Sequence, residues 1–448
     1  MITNFEIENF KSFAGKQSLK FAPITLIFGP NSSGKSSVIQ SLMMLKQTML
    51  SKSDSELVPS GDFINLGTYN SLVHGQNIDN KMFFSIEYDS QYEAEEYKLK
   101  HGHEMLFANS DYRTISFSYS PINHKPTLTN YGFNCRNKHI EKVDFQLTRV
   151  RKGSNGETFA LDNSDSLKKS LAKRHKISPK DSSWLDLTDS LGKFFRVSRS
   201  LNVPVSTARV ESHLVSYTNR VVDDIANVFD QLKYLGPLRS SPKRYYSDEI
   251  GNYQKGQGKS NLGNAIFNST DETKLKLNSF LSDFKIPYEI EAVDLGNINT
   301  GQLISIQLKD LRNGATITPK DVGFGIGQVL PIILEAVISK SKLICVEQPE
   351  IHLHPRLQAH LADLFIDSVS ESQKNQWIIE THSEALMLRI QRRIREGKIP
   401  KELVSVLYVD VGNSGSQVTQ IELDDDGDFT TDWPEGFFEE RLEEVFGG

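Results

Sequence analysis

The sequence predicts an α/β protein: a three-layer head with an antiparallel β subdomain at its N-terminus and a large inserted α+β region. Three observations carry this. An apolar strand, Ile24 to Phe28, runs straight into a glycine-rich loop and an amphipathic helix. After residue 231 the pattern alternates helix, strand, helix, strand, the order of a layered α/β head. Between residues 76 and 230 it changes to short alternating segments such as Met82 to Tyr88 and Thr114 to Tyr119, broken by polar and charged stretches.

Composition sets the outer limits. The 448 residues, 38% of them hydrophobic, are enough for a sizeable core, and no run of 18 or more apolar residues is present. The opening MITNFEIENFKSF alternates polar and apolar positions where a signal peptide needs a continuous apolar stretch, so a cytoplasmic protein with no membrane partner is expected. Cys135 and Cys345 lie far apart without CxxC spacing, which supports neither a disulfide framework nor a zinc site. A net charge of −6 argues against a surface built to coat nucleic acid. The two basic clusters, Lys168 to Lys176 and Arg389 to Lys398, read as solvated helix faces.

In chain order the elements are strands Ile2 to Glu8 and Gln17 to Phe21, the apolar strand, and a helix from Lys35 to Leu50 with apolar Val38, Ile39, Leu42, Met43 and Leu45. A strand follows at Tyr234, then a helix near Leu275 to Phe284, a strand near Leu303 to Lys309 and a long helix from Gln328 to Ser339. Strands Leu343 to Val346 and Trp377 to Glu380 complete the set. The expected organisation is a head in two parts, residues 1–75 and 231–420, an insertion over 76–230, and a small tail domain over 421–448.

The strongest chemical signal is Gly29-Pro30-Asn31-Ser32-Ser33-Gly34-Lys35-Ser36, a full GxxxxGK[ST] match between strand and helix, with Ser37 opening the helix behind it. The glycines let the loop turn its N–H groups inward around phosphates. Lys35 brings charge to the β- and γ-phosphates, and Ser36 offers a hydroxyl to Mg²⁺, so ATP and Mg²⁺ are the expected cofactors. The run GQGKS at Gly256 to Ser260 has Tyr253 where the first glycine belongs and is not a second loop. Strand Leu343 to Val346 delivers Glu347 where an acid can hold Mg²⁺ opposite the loop.

These residues, together with EQPEIHLHP, ETHS and FGIGQ, resemble the ABC-type ATPases of the OLD and RecF/SMC-like group. YLGPLR, DVGFGIGQVLP and the ending WPEGFFEERLEEVF narrow the resemblance to prokaryotic AAA-family ATPases with such a head, often ATPase subunits of anti-phage defence operons. The resemblance implies an ABC-type P-loop head. Phe324 to Gln328 is then the signature loop, with Gly325, Gly327 and Gln328 meeting the γ-phosphate of ATP on a second copy. His382 becomes the γ-phosphate sensor, and His352 and His354 lie in the segment crossing the dimer seam; metal binding by these histidines is the rival reading.

The position after Glu347 usually holds a catalytic glutamate and here is Gln348, whose amide cannot act as a general base. Glu350 serves instead, or Gln348 only positions water; slow turnover is expected either way. Lys11, with Ser12, resembles an entry motif that touches phosphate or adenine, or is a plain turn. Asp424 to Asp428 reads as a solvated acidic turn, since Trp433 stands where a calcium loop needs glutamate.

The function expected from all this is an ATP-driven switch: a head-to-tail homodimer sandwiching ATP and passing its state to a separate effector, a nuclease or toxin. The 66 residues after His382 are expected to be too few for the appended Toprim nuclease of OLD-type proteins. The rival is a DNA-binding repair or chromosome-maintenance ATPase.

Overall fold

The structure, a computed structural model, describes residues 1–51, 55–89, 112–122, 125–136, 143–151, 157–162, 195–196, 205–206, 225–237, 239, 243–247, 262–299, 301–431 and 433. The basic cluster at Lys168 to Lys176, the GQGKS run and the ending after Trp433 lie outside them. The chain forms two compact units. One comprises Met1–Phe21, Ser37–Gln231 and Val411–Val418, and the other Ala22–Ser36, Leu232–Asp410 and Thr419–Gly448.

The first unit is built on a nine-stranded antiparallel sheet. Ile2–Glu8 pairs with Gln17–Lys20 on one side and with Met82–Asp89 on the other. The sheet continues through Tyr112–Ile122, Lys125–Arg136, Val143–Arg151 and Glu157–Asp162 to two short strands, Phe195–Arg196 and Val205–Ser206. Period-two alternation puts one register row into the core: Ile7 opposite Phe84, then Phe117, Tyr131 and Leu147, each fully buried. Phe117 and Tyr131 meet edge-on at 5.3 Å. Most of Lys35–Leu50 also belongs to this unit, with Val38, Ile39, Leu42, Met43 and Leu45 buried as their spacing required.

The expected boundary at residue 75 falls inside this unit. Met82–Asp89 is hydrogen-bonded along its length to the first strand, so the described part of 76–230 extends the N-terminal sheet instead of standing apart as an insertion. Pairing across some eighty positions leaves no local signature, whereas the change in texture at 76 is local.

The second unit holds a six-stranded sheet in the order Leu232–Leu235, Leu343–Glu347, Gln376–Glu380, Ile24–Phe28, Val404–Gly412, Gly415–Ile421. The first five run parallel. The three central strands are buried at every position, as a parallel sheet covered on both faces demands. Its core is shared with helices Leu262–Phe267, Asp271–Asp283, Phe324–Ile338, Pro355–Ser368 and Glu384–Arg395. A smaller antiparallel sheet joins Tyr246–Ser247, Leu303–Asp310, Tyr288–Asp294 and Thr316–Ile317.

Helix starts differ from expectation for local reasons. Asp271–Asp283 begins where Thr270 caps it by accepting from the Thr273 N–H, with Asp271 and Glu272 at the positive end of its dipole. Phe324–Ile338 begins four residues earlier than the apolar pattern indicated, taking FGIGQ into its first turns.

The expected tail domain does not separate over its described residues. The Trp433 ring lies 5.4 Å from Phe28, 5.7 Å from Tyr408 and 4.8 Å from Phe429, inside the core beneath the glycine-rich loop. Asp424 to Asp428 is a tight turn in which the Asp424 carboxylate accepts from the N–H groups of Asp426 and Asp428. Cys345 is buried, and no helix among the described residues is long and apolar enough to cross a membrane. Trp433→Ala is expected to lower unfolding stability by about 3–5 kcal/mol, read as a drop in the denaturant midpoint. A change below about 1 kcal/mol would show that the ring does not hold this core.

Candidate active site

The loop after Ile24–Phe28 is shaped by positions where a side chain does not fit. Gly29 has φ +142°, and a Cβ there would lie 2.0 Å from the Val409 carbonyl oxygen. Gly34 has φ +108°, and Ser32 takes the left-handed region at φ +65°. Asn31 and Ser32 are exposed at the rim, while Ser33, Lys35 and Ser37 are buried. The Lys35 ammonium curls back to donate to the carbonyls of Gly29, at 2.9 Å, and Pro30, at 2.6 Å. Burial lowers its pKa, opposed by the carboxylates of Glu380 and Glu350.

Parallel register brings the acids to one edge. Glu347 lies directly across from Glu380, and Glu380 across from Ile27, one residue before the end of the loop's strand. The strand carrying ETHS therefore stands between the loop's strand and that of Glu347. The Ser36 hydroxyl donates to Glu380 Oε1 at 2.9 Å. Glu347 Oε1 instead accepts from the Tyr234 hydroxyl at 3.0 Å, and its backbone carbonyl accepts from Arg239 Nη2 at 3.0 Å. Burial raises the Tyr234 pKa, with the Glu347 charge adding to it, and pushes Arg239 down to about 10.

Both oxygens of Glu350 are engaged within the chain. Oε2 accepts from Thr381 Oγ1 at 2.9 Å and Oε1 from the His382 N–H at 2.7 Å. Burial raises its pKa against these donors, and burial likewise raises that of Glu380 against Ser36 and Lys35. Gln348 sits at φ +45° with its N–H on the Glu380 carbonyl at 2.7 Å, a position that turns the chain sharply out of the strand. The His382 ring is half-buried, and burial together with the Lys35 charge lowers its pKa.

The first turns of helix Phe324–Ile338 lie against His352 and Arg239, and Arg239 bonds the Glu347 carbonyl, so the helix N-terminus lies by the edge that carries the acids. A Cβ on Gly325 would meet the His352 carbonyl oxygen at 2.7 Å, which is why the first turn needs glycine there. Gly323 caps the helix with no side-chain hydrogen bond. Gly327 is buried. Gln328, expected at a partner's nucleotide, is also buried, with its amide 3.4 Å from the Arg239 carbonyl. This glutamine faces its own chain.

His352 and His354 are exposed; His354 caps Pro355–Ser368 by accepting from the Arg356 N–H. No group of three or more His, Cys, Asp or Glu among the described residues is placed to hold a metal. Lys11, in the first unit at φ +50°, donates to Gln40 on Lys35–Leu50. Mg²⁺ accompanying a triphosphate fits the edge on one observation: Glu380 Oε2 is buried and accepts no hydrogen bond among the described residues, beside the Ser36 hydroxyl. Phosphate oxygens and water would complete its shell.

The motif pattern missed Glu380, Tyr234 and Arg239. For Glu380 a signal is present, since ETHS ends a strand just as EQPE does. Tyr234 and Arg239 stood in YLGPLR with no spacing that tied them to the acids.

Among solved structures, the chain is similar to the SMC head bound to the C-winged helix domain of ScpA, at 14% identity over 94% of this chain and 98% of that one, TM-score 0.44. It is similar to the SMC head domain from Thermotoga maritima at 12% identity, covering 94% and 99%, TM-score 0.39. A third, the Smc head domain with an extended coiled coil bound to the C-terminal domain of ScpA from Pyrococcus furiosus, shares 12% identity over 99% of each chain, TM-score 0.43. No curated protein matches. Residues 1–387 match the family described as AAA ATPase domain, and a match across most of the chain, with the phosphate loop and paired strand-end acids in place, makes this protein a member of that family.

Proposed function

We propose that this ATPase works as a nucleotide-driven dimerisation switch, hydrolysing ATP slowly with Mg²⁺ and controlling a separate effector in anti-phage defence. The observation that carries the switch is the uncapped N-terminus of Phe324–Ile338 at the acid-bearing edge of the sheet. Its free backbone donors and dipole suit a γ-phosphate, and its cap residue, Gly323, has no side chain to satisfy them. A second copy's ATP is the occupant the geometry favours. The defence setting and the effector, a nuclease or toxin, rest on the motif resemblance alone.

Direct DNA binding has less support. In the described basic cluster, Arg389 and Arg393 pair with Asp363, Arg392 and Arg393 with Glu396, and Arg395 with Asp428, so each of these arginines is already engaged by a carboxylate of its own chain. An ATP-dependent, salt-sensitive shift of duplex DNA by the purified protein would favour that rival over the switch.

Light scattering is expected to give monomer mass without nucleotide and with ADP, and twice that mass with ATP and Mg²⁺. Lys35→Ala should stay monomeric throughout. A wild-type mass indifferent to ATP refutes the switch. Turnover is expected well below about 10 per second, the middle of the enzyme range, because Gln348 cannot take a proton and Glu350 is engaged at both oxygens. A steady-state rate of tens per second would overturn this.

A further inference from the structure

The chain places two carboxylates side by side at the ends of adjacent strands, and the motif pattern gives the metal to Glu347. Three observations point to its neighbour. Glu380 is on the strand hydrogen-bonded to the loop's own strand, whereas Glu347 stands one strand farther away, a step of about 4.8 Å. The Oε1 of Glu380 already accepts from Ser36, the hydroxyl that this kind of loop presents to a metal. Its Oε2, in a residue only 3% exposed, accepts no hydrogen bond among the described residues.

A carboxylate oxygen with these surroundings is costly to bury unless a ligand supplies the missing partner. The equivalent group on Glu347 is occupied differently, by the Tyr234 hydroxyl, while Arg239 holds its carbonyl. From the site described above, we propose that Glu380, acting with Ser36, is the carboxylate that serves the divalent cation of the bound nucleotide. Glu347 then belongs to the internal network that fixes Tyr234 and Arg239. This assignment rests on the reading of the loop as an ATP site.

A merely structural role for Glu380 would alter stability without altering metal dependence, so the informative quantity is the ratio of ATP affinities measured with Mg²⁺ and with EDTA. Titration of a fluorescent ATP analogue into the full chain is expected to show tighter binding with Mg²⁺. In Glu380→Gln, which can still accept from Ser36, that enhancement should fall at least tenfold while affinity in EDTA stays within twofold of wild type. Ser36→Ala should lose the same enhancement, and the double variant no more than either single one. Glu347→Gln should keep most of it. If Glu380→Gln does not fold, Glu380→Asp should show an intermediate enhancement. Full enhancement in either Glu380 variant, or its loss in Glu347→Gln alone, overturns the assignment. A wild-type chain that binds no nucleotide in either buffer refutes the ATP site itself and the assignment with it; one that binds equally in both refutes the assignment alone.

Discussion

The register of three parallel strands governs the site. Ile24–Phe28, Gln376–Glu380 and Leu343–Glu347 pair so that Ile27, Glu380 and Glu347 fall on one line across the sheet. A two-residue slip, which preserves the faces of every buried side chain, would still carry an acid almost 7 Å along its strand and away from Ser36. The hydrophobic content of these strands fixes which face each residue occupies, but it does not fix that line. The end contacts do: Gln376 donates to the Ala22 carbonyl, Asn375 holds the Ser339 carbonyl and Ser368, and Thr381 donates its N–H to the Ile27 carbonyl. Polar groups at the strand ends thereby set the position of the charges.

The loop depends on the same frame. Lys35 can fold back on Gly29 and Pro30 only because Gly29 passes within a Cβ's reach of Val409 on the next strand, and the core under Phe28 is filled by Tyr408, Phe429 and Trp433. Residues far apart in sequence thus carry the loop from below, and a residue expected to lie in a separate tail is part of its support.

What the sequence made legible follows from the range of the interactions involved. The loop, its helix, strands Leu343–Glu347 and Gln376–Glu380, and the acidic turn at Asp424 are each set by neighbours within a few residues, and each lies where its pattern placed it. The pairing of Met82–Asp89 with the first strand, the packing of Trp433 and the contact of Ser36 with Glu380 are set by groups tens to hundreds of positions apart. Gln328 shows the intermediate case. Its side chain was expected at a partner's nucleotide from the motif, but its direction depends on where the helix begins, and the glycines that start the helix obscured that point.

The charge balance at the sheet edge explains why so polar a cluster persists in the interior. Glu347, Glu350 and Glu380 are each at least nine-tenths buried, and the buried cations beside them among the described residues are Lys35 and Arg239. Arg239 spends one N–H on a backbone carbonyl, while its Nε and Nη1 are buried without a hydrogen bond among the described residues. The raised pKa values of Glu350 and Glu380 and the lowered ones of Lys35 and Arg239 express the same cost from both sides. An apolar cluster of equal volume would be easier to fold. Such an edge is therefore poorly designed for stability and well designed for a ligand bearing both signs of charge, since phosphates can take the loop's donors while a divalent cation answers the surplus carboxylate.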